Sequence, residues 1–336
     1  MANRGRSRRS DRPLEEKGRT GLSVTAASQP VTDEAPTPRR ARRAPGSPGR
    51  RPLTGLMFVA PTGVIVAGLF LVPLAILVYM SFTDWPLLAS PTPNGVDNYR
   101  NLAHDDRFVG AIGFTLLYTA ITTVVLFAIA FVLVAISNSH RRGTRFYRTA
   151  FFLPYVVGTA AASTMWWVDS SDSLGVFNRI LEAVGLIHKP VGFLDTPGKA
   201  LFSVITLVVW KFIGFQVLVL LVGVQSIPNE LYEAARVDGA STWQRLRYIT
   251  VPGLKPTLAL LTVLSVTGSL LAFDQFFVLT HGGPDNSTVT VVLALYNKAF
   301  QSFRLGDAAA EAVVLLVALI LLNFIQLRLL RNRENS

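Results

Sequence analysis

Five polar or ionisable residues, Lys211, Gln216, Asp274, Gln275 and Glu311, lie within long apolar runs of this 336-residue chain. A side chain with full charge facing lipid costs about 2.5–3.5 kcal/mol even on insertion scales. Lys211, Gln216, Asp274 and Gln275 are therefore expected to face the interior of a helical bundle or a headgroup boundary. Gln216 and Gln275 can exchange hydrogen bonds with hydroxyl groups, and the indoles of Trp166, Trp167 and Trp210 can stack on the faces of sugar rings. Competing readings make Trp166 and Trp167 interfacial anchors and give Lys211 an internal partner. Glu311, one turn inside its apolar run, is expected to snorkel to the external interface.

Other chemistries have no residues to carry them. The chain has no cysteine, which excludes disulfides, thiol catalysis and thiolate metal sites. His104, His140, His188 and His281 are scattered, and none has the i, i+4 partner of a helical metal site, so no metal is expected. No paired carboxylates or nucleophile constellation point to an enzyme. There is no Gly-x-x-x-x-Gly-Lys-Ser/Thr loop, so the chain cannot cradle the phosphates of ATP.

The elements that position these residues follow from composition. The chain is 50% hydrophobic and 16% charged, with a mean hydropathy of +0.41, against roughly 25% charged residues in average soluble domains. The apolar residues fall in long runs, which predicts an all-α integral membrane protein. About 20 apolar residues at 1.5 Å each cross a hydrocarbon core of about 30 Å. Six runs meet that length: 56–80, 109–136, 149–168, 200–224, 257–279 and 308–327. The transmembrane domain then covers 53–330, and residues 225–256 form the loop between the fourth and fifth spans.

Charge sets orientation. The net charge of +11 is mostly one segment, since residues 1–51 hold 13 of the 32 Lys and Arg residues against 5 Asp and Glu. This tail, 1–52, is rich in Pro, Ser, Gly and Thr without apolar periodicity, and reads as a disordered basic arm at a membrane surface, not a nucleic-acid arm. No apolar signal core lies near Met1, so the first span is expected to act as an uncleaved anchor. Of the Lys and Arg residues outside the spans, 24 fall on the side of the tail and 7 on the other. The positive-inside rule then places both termini in the cytoplasm.

The 225–256 loop is longer than a connection needs, and it has helical punctuation. Pro228 suits a first helical position, and Leu231, Ala234 and Ala235 recur at i, i+3, i+4. Gly239 fits the position just past a helix end, Ser241 with Gln244 fits a capping box, and Pro252 is expected to end the second helix.

Glu233-Ala234-Ala235, then Gly239 after a three-residue gap, then Ile249 and Pro252, resembles the EAA loop of permease subunits in bacterial binding-protein-dependent ABC importers. Asp97-Asn-Tyr-Arg-Asn-Leu102, Arg148-Thr-Ala-Phe-Phe-Leu-Pro154 and Thr280-His-Gly-Gly-Pro284 resemble the carbohydrate-uptake branch, of the maltose and glycerol-phosphate type. Phe114 before Thr115, His281 and Asp169-Ser-Ser171 depart from that pattern. The resemblance implies the type I transmembrane-domain fold with about six spans in a bacterial cell membrane. It implies a second permease subunit, two cytoplasmic ATPases that hold ATP and Mg²⁺, and an external solute-binding protein. Within the loop it implies a coupling role for Glu233, Ala234, Ala235, Asp238, Gly239, Ala240 and Pro252. Glu233 would anchor by ionic contact, the alanines would allow close packing, and Gly239 would permit the tight turn. Lys211, Gln216, Asp274, Gln275 and Trp166 become candidates for the path of a sugar or related polyol. An ion-coupled transporter, with Asp274 or Glu311 as coupling carboxylate, and a membrane-embedded enzyme or receptor are the alternative classes.

Overall fold

In the computed structural model, residues 52–86, 90–137, 144–171 and 175–332 are described. The expected basic tail lies outside them, apart from Pro52. The first run forms α1 (Pro52–Val66), a π turn at Ala67–Leu71 and α2 (Val72–Met80). Residues 60–336 form one unit, to which all the packing below belongs.

After α2 come two short strands, β1 (Thr83–Asp84) and β2 (Thr92–Pro93), which pair antiparallel with Thr83 opposite Pro93. Then follow α3 (Asp97–Ala103) and α4 (Asp106–Ser137). The Asp97–Leu102 segment works as a tie. Asn98 donates to the carbonyls of Ser81 and Thr83, both at 3.0 Å, and the Tyr99 hydroxyl donates to Ser81 Oγ at 2.7 Å. Two carbonyls just past the end of α2 are thereby satisfied by one side chain, Asn98, 15 and 17 residues away.

The third apolar run is not one straight span. It forms α5 (Thr144–Val156) and α6 (Thr159–Asp169), bent by 106° at Val157–Gly158. Pro154 sits inside the last turn of α5, and proline cannot donate to the ladder there. A short helix, α7 (Val176–Ala183), leads to α8 (Pro197–Gln225), whose Thr196 cap accepts from Lys199 N ahead of a first-turn proline. The loop contributes α9 (Asn229–Val237), α10 (Thr242–Arg245), a π turn at Leu246–Thr250 and α11 (Val251–Gly253). The fifth run is also broken: α12 (Lys255–Leu270), set at 64° to the helix before it across Leu254, stops at Leu271, inside the run. Asp274 and Gln275 then start a second helical stub that ends in a π turn, Phe276–Thr280. After it come α13 (Val291–Tyr296), capped by Thr290, a π turn at Asn297–Gln301, and α14 (Leu305–Asn332).

Four of these helices are long and apolar enough to cross a membrane, and each bent pair passes the same test together, which makes up to six. Helix α8 is the centre: 56% of its apolar window is buried, against 28% for α4 and 22% for α14. It packs on α4, α5 and α12. Leu126, Ala130, Ile213, Val217, Leu220 and Leu261 form one buried cluster between α4, α8 and α12, and Tyr118, Val204, Leu207, Phe276 and Leu293 form another. Outward residues such as Phe70, Val132 and Phe324 are apolar and exposed. Apolar surface on both sides of a helix is what a lipid solvent permits.

Candidate functional site

A cavity of about 390 Å³ opens where the two broken runs meet α4 and α8. Tyr155 and Thr159 border it from the third run, Phe212, Phe215 and Gln216 from α8, and Ser265, Ser269, Phe273, Asp274 and Gln275 from the fifth. Irregular backbone at membrane depth is tolerated where it lines a cavity, which is where Asp274 and Gln275 are found. Gln275 donates to the Tyr118 hydroxyl at 3.2 Å, and Ser265 donates to Gln216 Oε1 at 3.4 Å. Gln216 is only 3% exposed, and its Nε2 has no hydrogen-bond partner among the described residues, so this wall keeps a spare donor. The Tyr155 ring stacks on Phe215 at 4.9 Å with 12° between planes. Aromatic faces, a free amide donor and a carboxylate match what hydroxyl-rich rings bind.

The loop at the far ends of α8 and α12 presents a different surface. Helix α9 ends in a full Schellman motif: Ala240 N donates to Ala235 O at 2.8 Å, and Gly239 N donates to Arg236 O at 3.1 Å. Gly239 takes φ +75°, a left-handed conformation that glycine adopts without strain. Ser241 and Gln244 then form the capping box in both directions. Pro228 caps α9 instead of occupying its first turn, and the second helix runs one residue past Pro252, to Gly253. Glu233, Ala234, Asp238 and Gly239 are exposed, and Val237, Trp243 and Tyr248 are 88%, 65% and 70% exposed. Glu233 makes no ion pair with another described residue, so the contact the resemblance implies for it would have to come from outside them.

Residues 140–334 match the family of binding-protein-dependent transport system inner membrane components, which is more than half of the chain. The chain belongs to that family. A probable ABC transporter permease of Pyrococcus horikoshii is 35% identical over 78% of this chain and 90% of its own length. The multiple sugar-binding transport system permease of Streptococcus mutans is 33% identical over 76% of this chain and 88% of its own. Among solved structures, a bacterial ABC transporter involved in the import of the acidic polysaccharide alginate superposes with a TM-score of 0.74, at 25% identity. That match covers 84% of this chain and 96% of the other. The protein is thus a multi-pass permease of an ATP-driven, binding-protein-dependent importer and not an enzyme.

The permease brings together three of the five candidates for its path. Gln216, Asp274 and Gln275 share the cavity wall, but Lys211 and Trp166 do not border it. Lys211, 4% exposed, donates to the backbone carbonyls of Tyr155, at 3.3 Å, and of Val157. Its hydrogen-bond partners are peptide oxygens, and the Asp274 carboxylate acts on its charge from further off. Trp166 meets Phe177 and Trp210 and lines a smaller, apolar pocket of about 250 Å³ with Phe193 and Phe202. Tyr118, Tyr155, Phe212 and Phe215 were not foreseen. Aromatic residues in an apolar run carry no mark of which face they take.

Glu311 overturns the expectation of snorkelling. It is fully buried and ion-paired to Lys298, which also reaches Asp105 at 2.7 Å. The three come from the start of α14, the π turn after α13 and the entry to α4. Burial raises the Asp105 carboxyl, but the Lys298 ammonium and the Phe108 and Arg107 amides outweigh it and hold the group below the usual range. Burial works against the Lys298 charge, and its two carboxylates reverse that, placing it above an ordinary lysine.

Proposed function

We propose that the permease forms one half of the path for a sugar or related polyol and is driven through the loop 225–256. The observation that carries this reading is connectivity. The exposed helical loop hangs from α8 and α12, the same two helices that supply Phe212, Phe215, Gln216, Ser265 and Ser269 to the cavity. A rigid push on the loop is delivered directly to the cavity wall.

In this reading a second permease completes the path, and an external binding protein delivers the solute. Two cytoplasmic ATPases, holding the ATP and Mg²⁺ that this chain cannot, seat the loop in a cleft. Glu233 makes the ionic contact, Ala234 and Ala235 allow close approach, and Asp238, Gly239 and Ala240 form the turn that docks. Pro252 marks the end of the docking unit and the start of the fifth run. Both termini lie in the cytoplasm of a bacterial cell in this reading, which the distribution of Lys and Arg supports. The sugar class is supported by the aromatic and amide lining and by the sugar systems named for the relatives.

Native mass spectrometry of the tagged chain in mild detergent tests the assembly, and co-purification with a second permease and two ATPases is expected. A homo-oligomer without ATPase would sink the proposal. In vesicles holding the whole importer, Glu233→Ala and Gly239→Asp are expected to abolish ATP-dependent maltotriose uptake while leaving insertion intact.

A further inference from the structure

The carbonyls at the end of α5 pose a problem that the family assignment does not address. A helix that stops leaves its last four carbonyls without ladder partners, and lipid offers none. At Val157–Gly158 the chain turns by 106°, and Gly158 caps α6 without any side-chain hydrogen bond. Among the described residues, the side-chain donor there is the ammonium of Lys211, which reaches the carbonyls of Tyr155 and Val157 from the middle of α8. It also lies 5.9 Å from the centre of the Tyr155 ring and 5.2 Å from that of Phe212. A cation at a helix C-terminus is favoured by the dipole, and over two rings by their quadrupoles. Three residues on, Gly214 lies so close to α5 that a Cβ there would come within 1.9 Å of Phe151 O. The two positions share one face of α8 and hold it against the last two turns of α5.

We propose that Lys211 is a positioning residue that clasps the break in the third run, and through it sets the Tyr155 wall of the cavity. Tyr155 and Phe212, the two rings beneath the ammonium, both border that cavity, and Tyr155 stacks on Phe215, which borders it too. Lys211 touches no solute in this account. It fixes the angle of α6 and the ring that solute meets. The inference rests on the reading of the cavity as solute path, but its test needs neither solute nor ATP, so each can fail without the other.

The natural absence of cysteine makes the test direct. Thr159→Cys places a single thiol on the cavity wall beside the break, and Leu186→Cys places one on the exposed turn after α7 as a control. Both are labelled with N-ethylmaleimide in the assembled importer. Lys211→Met is expected to raise the rate at position 159 about tenfold, since the break then opens with a smaller free energy, and to leave position 186 within about twofold. Lys211→Arg, which restores charged donors, is expected to bring the rate back towards the natural value. A role in mere bulk packing would not be rescued that way. The proposal is overturned if Lys211→Met labels within about twofold of the natural chain, or if Lys211→Arg is no closer to it than Lys211→Met. Should Lys211→Met fail to insert, Lys211→Gln replaces it, and a rate at position 159 unchanged from the natural chain is then the overturning result.

Discussion

Two helix ends in this permease are closed in opposite ways. Helix α9 ends with bonds from the next three residues, in a glycine turn that water can also reach. Helix α5 keeps one local bond, from Val157 N to Pro154 O, while the carbonyls of Tyr155 and of Val157 just past its end are met by Lys211, 56 and 54 residues further along the chain. The first end is a property of a short peptide, whereas the second exists only after α8 has packed. A helix end in water can be finished locally, but one among apolar helices has to borrow its donor from a neighbour.

The buried side of this contrast is expected to fail hardest when a charge is orphaned. Lys298→Met leaves Glu311 buried without its cation and should cost about 3–5 kcal/mol, read as thermal unfolding in detergent. The same triad sets a pH window. Because Lys298 is raised when folded, its contribution is complete below the unfolded lysine value and is lost as pH climbs through the higher folded one. Because Asp105 is lowered, its contribution is complete above the unfolded carboxylate value and is lost as pH falls through the lower folded one. Stability of the natural chain should thus fall off at both alkaline and acid extremes, and Lys298→Met should flatten the alkaline limb. A limb that survives the substitution would assign it to another group.

Smaller effects sharpen the comparison. Gly214→Ala forces α8 away from Phe151 and should cost about 1–3 kcal/mol by overpacking, visible in the same unfolding experiment. Gly239→Ala asks an L-residue to hold a left-handed conformation and should cost about 1–2 kcal/mol. Because the turn is exposed, that loss should appear as faster amide exchange in residues 234–240 with the unfolding temperature nearly unchanged. Ser241→Ala removes one cap bond and should cost about 1 kcal/mol, again confined to exchange in the loop. If Gly239→Ala lowered the unfolding temperature as much as Gly214→Ala, the distinction between local and borrowed closure would be wrong.

The same distinction governs what could be read from residues alone. Gly239 and the Ser241–Gln244 box were legible because each bond joins neighbours at fixed spacing. Four of the runs were legible as single long helices because lipid imposes length. The breaks at Val157–Gly158 and Leu271–Phe273 were not, since each is uncharged and apolar enough to pass as straight helix, and Pro154 alone does not fix an angle of 106°. Glu311 was misread because its rescue by Lys298 depends on how α13 and the π turn fold back onto α14. Gln216, Asp274 and Gln275 were found through the cost of polarity in lipid. Tyr155 and Phe215, equally part of the wall, pay no such cost and left no trace.

The exposed loop has a consequence for the life of the protein in the cell. Val237 at 88% exposure and Trp243 at 65% are poor surface for a subunit that waits alone. A chain made without its partner would offer those side chains to chaperones and proteases, and small populations of such species are continuously triaged. In the proposed assembly, copy number would then be set by the scarcest subunit, with the exposed loop of the permease serving as its own label for disposal.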